Sequence, residues 1–205
     1  MTSYMSIITE TAELAEFCER AAAFPHITVD TEFIREKTYW PRLCLIQVGT
    51  PDEALAIDAL ADDIDLEPLF GLLADQSVLK VFHAARQDVE IFVNLCGKVP
   101  TPLFDTQIAA MVCGYGDSVG YERLVRDIAK KSIDKTMRFT DWSKRPLGKK
   151  QIDYALGDVT HLRKIYDRLA KRLDDTGRAD WLSEEMDILT DTATYLIAPE
   201  DALRP

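Results

Sequence analysis

Five side chains of this sequence could do chemistry together. Asp30 and Glu32 stand in ITVDTEF, Asp88 in HAARQDVEIF, and Asp158 in DYALGDVTHL with Tyr154 four residues ahead of it. Each acid is embedded in apolar sequence, where an ionised carboxylate is costly unless something compensates it. A pair of divalent metal ions is the most economical compensation, and two metals around an in-line displacement are the machinery of phosphodiester cleavage. Asp30 and Glu32 are two apart on a predicted strand, so both side chains leave the same face. The alternative is a half-exposed strand with acidic outer positions and Val29, Thr31 and Phe33 buried. Tyr154 and Asp158 are i and i+4 on a predicted helix and share a face. The phenol could orient an attacking water, or it could pack on the core with its hydroxyl bonded to the nearby acid.

Other chemistries find less support. His83, five residues before Asp88, reads as a satisfied buried histidine, and His26 and His161 have no partnered spacing. No serine or cysteine sits in a G-x-S-x-G elbow, so nucleophilic catalysis of that kind is excluded.

The elements that must position these residues read as strands first and helices after. ITVDTEF alternates β-branched or aromatic with polar residues; RLCLIQVGT and EALAIDAL are further strands, and the short connections among these three predict an antiparallel set, with VLKVFHA a fourth strand. Pro68 to Leu73 is a short predicted helix. RQDVEIFVNLC has helical periodicity through Val89, Phe92 and Leu95, and Asp105 is a predicted N-cap of the next helix. Later helices are predicted near 120–131, 149–173 and 178–190, while Gly114, Gly116 and Gly120 punctuate a loop. This order predicts an α/β fold, a mixed sheet flanked by helices.

The 205 residues fit one domain with a real core, with no repeat, linker or run long enough for a membrane span. The N-terminus lacks a basic region followed by a long apolar run, and Cys18, Cys44, Cys96 and Cys113 form no C-x-x-C pair. A reduced, cytoplasmic protein is expected. The net charge of −11 argues against a general nucleic-acid coat protein. The charge is uneven, however: Arg123 to Lys150 holds ten basic residues against three acids. Because this stretch adjoins Tyr154 and Asp158, it is expected to be a phosphate-binding surface, with Lys144, Arg145, Lys149 and Lys150 as substrate-binding candidates. A merely solvated basic face is the alternative.

The order and surroundings of the acids are more specific than any pair. VDTEF, then HAARQDVEIF, then TDWSKRPLGKKQIDYALGDV resembles the three exonuclease motifs of the DEDD 3′–5′ exonucleases, in their tyrosine variant. Within that superfamily, VDTEFIREKTYWPRLCLIQVG through PLFDTQIAAMVCG to the last motif is similar to the ribonuclease D family, over about residues 6–190. The histidine variant has the H-x₄-D spacing of His83 and Asp88, but it places that motif last, and here Tyr154 and Asp158 follow it.

The resemblance implies a ribonuclease H-like fold with a mixed five-stranded sheet. It implies two divalent metal ions, magnesium or manganese, on Asp30, Glu32, Asp88 and Asp158, with Asp30 bridging both. Tyr154 would help position the attacking water, and Phe33 would lie against the terminal bases. The implied activity is hydrolysis of RNA from a single-stranded 3′ end to nucleoside 5′-monophosphates, as in transfer-RNA and structured-RNA trimming. Alternatives are an exonuclease of short oligonucleotides or DNA, and a non-catalytic RNA-binding module, although binding alone gains nothing from clustered negative charge. Family members carry helical helicase-and-RNase-D C-terminal domains after the nuclease. Within residues 1–205 a single exonuclease domain without such a domain is expected.

Overall fold

A computed structural model of the chain describes residues 7–36 and 38–196. The strands are β1 (Ile7–Ile8), β2 (His26–Ile34), β3 (Arg42–Gly49), β4 (Ala54–Asp58), β5 (Leu79–Phe82) and β6 (Leu103–Asp105). They form one mixed sheet in the order β1-β4-β3-β2-β5-β6. β2 stands at the change of direction, antiparallel to β3 and parallel to β5. The predicted antiparallel set is therefore β2-β3-β4, and the expected five strands become six. The unforeseen edge strands, β1 along β4 and β6 along β5, are two and three residues long, too short to show alternation.

The helices are α1 (Thr11–Ala21), α2 (Glu67–Ala74), α3 (Arg86–Cys96), α4 (Thr106–Val112), α5 (Tyr121–Leu124), α6 (Lys149–Thr176) and α7 (Ala179–Thr190). α1, which strand-first reading passes over, buries Leu14, Phe17, Cys18 and Ala21 at helical spacing. α3 ends at Gly97, whose φ of +73° closes the helix in the left-handed region. Asp105 does cap α4: its carboxylate accepts from the Gln107 N–H at 2.7 Å, and also from the Ala84 and Ala85 N–H groups at 3.0 and 2.8 Å. One buried acid thus ties the start of α3 to the start of α4. The helix predicted near 120–131 is broken: α5 has one turn, then widens into a π-helix over Val125–Ala129 that stops at left-handed Lys130.

α6 is about 42 Å long at its 1.5 Å rise per residue and buries Ala155, Leu156, Val159, Leu162, Ile165, Leu169 and Leu173 as one stripe. Asp158 lies within that apolar stripe. The helix comes unusually close to the sheet at Gly49, where a Cβ would lie 2.5 Å from Thr28 Oγ1 and 3.3 Å from Val159 Cβ. The Thr28 hydroxyl donates to the Val159 carbonyl at 2.9 Å, pinning the helix one residue from Asp158. The absent side chain of Gly49 therefore sets how near Asp158 comes to β2.

The main core runs through Phe17, Val29, Phe82, Phe92 and Leu162; a smaller cluster joins Leu45, Ala56, Trp142, Ala155 and Leu156. All four cysteines are free, Cys96 only half-buried. Among the described residues no helix is long and apolar enough to cross a membrane.

Candidate active site

Three of the four predicted acids converge. A carboxylate oxygen from each of Asp30, Glu32 and Asp158 lies within 4.8 Å of the others. Strand alternation sends Asp30 and Glu32 to one face of β2, and the close seat of α6 brings Asp158 to them. Asp88 arrives on α3 and stands just outside this group, its Oδ1 accepting from the Thr31 hydroxyl at 2.5 Å. The alternation that points Asp30 and Glu32 one way thus leaves Thr31 to hold the fourth acid.

Crowding and burial act on all four. Burial, then the charge of Asp158, holds Asp30 well above the carboxylate range. Glu32 is pushed up to about 10 by burial and by Asp30, Asp158 and Asp88. Asp88 is raised by burial and Asp30, against the opposing Thr31 hydrogen bond; burial lifts Asp158 to about 7. Among the described residues no lysine or arginine forms an ion pair with any of the four. A half-buried group of oxygen donors without an ion-pairing partner among the described residues fits a hard divalent ion.

Two phenols border the acids. Burial, then the charges of Asp158, Glu32 and Asp30, raise Tyr154 above the ordinary tyrosine range, so it stays a protonated donor. Tyr154 packs near Trp142, with ring centroids 6.2 Å apart. Tyr121, raised by burial and then by the charges of Asp158 and Asp30, donates to the Asp158 backbone carbonyl. It follows the glycine-punctuated loop, and no periodic signal marked it. His83 Nδ1 lies 3.0 Å from the Thr106 hydroxyl, the Val119 carbonyl also engages the ring, and burial keeps the imidazole neutral.

Asp30 and Asp158 open on a cavity of roughly 470 Å³ also lined by Tyr154, Tyr121, His83 and Arg138, among others. A neighbouring cavity of roughly 210 Å³ shares Tyr154 and Asp158 and has Lys150 on its wall. Of the basic stretch, then, Arg138 and Lys150 reach the site. The other three candidates do not line either cavity. Lys144 lies near Asp141 at 3.8 Å, and Lys149 pairs with Asp153 at 2.8 Å. Arg145 grips Asp58 with two hydrogen bonds of 2.6 Å and donates to the carbonyls of Cys44 and Trp142. Phe33 is half-buried against the main core and lines neither cavity.

Arg145 has instead a structural task, anchoring the loop before α6 to β4. Arg145→Ala is expected to destabilise the fold by about 3 kcal/mol, because it strands the buried Asp58 charge. Urea unfolding checks this; a change under 0.5 kcal/mol would show that the pair contributes nothing.

With Asp30 and Glu32 on one strand and Asp88 and Asp158 on two helices, the fold and site define a class. A family model described as 3′–5′ exonuclease matches residues 5–174, and the chain belongs to that family. It is 56% identical to ribonuclease D of Nitrobacter hamburgensis over 198 residues, 97% of this chain and 52% of that protein. It superposes on the crystal structure of Escherichia coli RNase D, described as an exoribonuclease involved in structured RNA processing. The TM-score is 0.91 at 38% identity, covering 98% of this chain and 53% of that one. The chain thus spans about half the length of the ribonuclease D relatives it matches. It is also similar to Brucella melitensis NrnC with bound Mg2+, TM-score 0.76 at 25% identity, over 93% of this chain and 90% of that one; that protein has also been solved bound to pGG.

Proposed function

We propose that this chain is a metal-dependent 3′–5′ exoribonuclease that removes nucleoside 5′-monophosphates from single-stranded RNA ends. The observation that carries the reading is the convergence of carboxylate oxygens from Asp30, Glu32 and Asp158 within 4.8 Å. In this reading Asp30, Glu32, Asp88 and Asp158 hold two divalent ions, magnesium or manganese. Such ions supply Lewis-acid stabilisation of the charge on attacking and leaving oxygens. Tyr154, kept protonated, orients the attacking water from the cavity side. Arg138 and Lys150 receive backbone phosphates, and Tyr121 fixes the Asp158 main chain. Relatives of ribonuclease D type favour RNA. The likeness to NrnC along nearly all of its length, and its bound pGG, favour a second reading in which short oligonucleotides are the substrate. One assay tests both: 5′-labelled RNA and DNA of several lengths with Mg²⁺, Mn²⁺ or EDTA. Laddering from the 3′ end that stops in EDTA is expected. Internal cleavage of a circular RNA would overturn the exonuclease reading.

The raised acids make stability depend on pH and metal. From about pH 4 upward, unfolded carboxylates ionise while the folded ones stay protonated, so the folded state binds more protons and stability falls as pH rises. The fall continues through about 7 for Asp158 and about 10 for Glu32. Mg²⁺ or Mn²⁺ should offset it, and more strongly at pH 8.5 than at pH 6, because ligands must be deprotonated. The expected gain in melting temperature at pH 8.5 is several degrees, about 2–4 °C per kcal/mol for a chain of this size. Glu32→Gln should shrink the metal-induced gain. An equal metal response at both pH values would contradict the coupling.

A further inference from the structure

A further cleft of roughly 320 Å³ is lined by Arg35, Tyr39, Trp40, Arg86, Gln87 and Tyr195, with Glu90 one turn along α3 from Arg86. Two elements run from the carboxylates into it. β2 carries Asp30 and Glu32, and Arg35 follows its last residue, about 10 Å beyond Glu32 at strand rise. On the other side, Ala84 lines the carboxylate cavity, and Arg86 and Gln87 at the start of α3 line the cleft just ahead of Asp88. The cleft is thus built on the end of β2 and the start of α3, the two elements that carry Asp30, Glu32 and Asp88.

Its chemistry is specific. Arg35 is oriented by Glu90 through hydrogen bonds of 2.9 and 3.4 Å. Arg86 is exposed and, among the described residues, pairs with no carboxylate, although acids outnumber bases 35 to 24 in this chain. Tyr39 and Trp40 meet edge to face with centroids 4.7 Å apart, and Tyr39 is 41% exposed. The Thr38 hydroxyl, donating to the Trp40 carbonyl at 2.7 Å, fixes their loop. A guanidinium free of carboxylates beside an exposed tyrosine and a half-buried tryptophan is what successive nucleotides need: phosphate neutralisation and faces on which bases stack without regard to sequence.

We propose that this cleft binds the single-stranded RNA upstream of the scissile phosphodiester, with Arg86 on a phosphate and Tyr39 and Trp40 stacking bases. The proposal rests on the exonuclease reading of the carboxylate site and adds where the rest of the strand runs. It makes affinity depend on length: a dinucleotide ends before the cleft, an octamer enters it.

The test measures binding of RNA dimers and octamers to the full chain carrying Asp30→Asn, and turnover of both by the chain without that change. Arg86→Ala with Tyr39→Ala, both at exposed positions, should weaken octamer binding about tenfold or more and leave dimer binding and dimer turnover unchanged. The salt dependence of octamer binding should flatten by about 0.7 per lost phosphate contact. Tyr39→Phe, which keeps the ring, should bind the octamer as the unmodified chain does. Equal losses for dimer and octamer would overturn the proposal, since the cleft would then act through the carboxylates. Unchanged octamer binding with lowered thermal stability would overturn it too, marking a surface that packs against protein. Failure of the nuclease reading appears separately, as absent dimer turnover in the unmodified chain.

Discussion

Asp30→Asn is expected to lower turnover on single-stranded RNA by about 10³-fold or more while leaving the protein folded. Asp30 is the acid that faces the cavity from β2 and interacts with both Asp158 and Glu32. Losing it would remove one of the proposed metal ligands. A metal site contributes several kcal/mol of transition-state stabilisation, and each 1.36 kcal/mol is a factor of ten in rate. The fold should tolerate the change because a neutral amide relieves repulsion in the acidic group: Glu32 and Asp88 are both raised in part by the Asp30 charge. In EDTA the variant should therefore melt at or above the temperature of the unmodified chain, the reverse of what a damaged core gives. Single-turnover hydrolysis of a 5′-labelled oligomer, read beside thermal melting, separates the two effects. Full activity in matched assays would sink the proposed metal role of Asp30, and Asp158→Asn carries the same expectation.

How much of this site could be read from sequence depended on how far its causes reach. Asp30 with Glu32 and Tyr154 with Asp158 are local pairs, and strand and helix periodicity alone place each pair on one face. That Asp158 would meet Asp30 was not local. It follows from the close seat of α6, which depends on Gly49, and a glycine at a strand end reads merely as punctuation. The basic stretch shows the same limit. Ten cations between Arg123 and Lys150 look alike in sequence, yet Arg145 is taken by Asp58, 87 residues away, while Arg138 and Lys150 face the cavities. Tyr121 was hidden for another reason: it follows the glycine-punctuated loop, and a helix predicted over 120–131 does not reveal that its second turn widens into a π-helix. Residues 39 and 40 carried no role in sequence, because two aromatics before a proline could as well be core.

Tyr154→Phe is expected to reduce turnover by about 10²-fold, the scale set by losing a positioned proton-transfer or water-orienting group. Two observations support a role for the hydroxyl beyond packing. Tyr154 lines both cavities that open on Asp158. Its pKa is raised by burial and by three neighbouring acids, so the proton stays on the oxygen across the working pH range and the group acts as a donor. The ring packs in the Trp142 cluster, and phenylalanine keeps that contact. Stability and metal-induced melting should therefore match the unmodified chain, and the loss should fall on turnover with affinity for a short RNA unchanged. His83→Ala gives the contrast. His83 is held by Thr106 and Val119 at the junction of β5 and α3, so its removal should lower the melting temperature and reduce turnover only modestly in the folded fraction. If the histidine variant instead stays folded and loses turnover while the tyrosine variant keeps it, water orientation belongs to the imidazole. The site would then work as a histidine-type exonuclease despite the tyrosine one turn before Asp158.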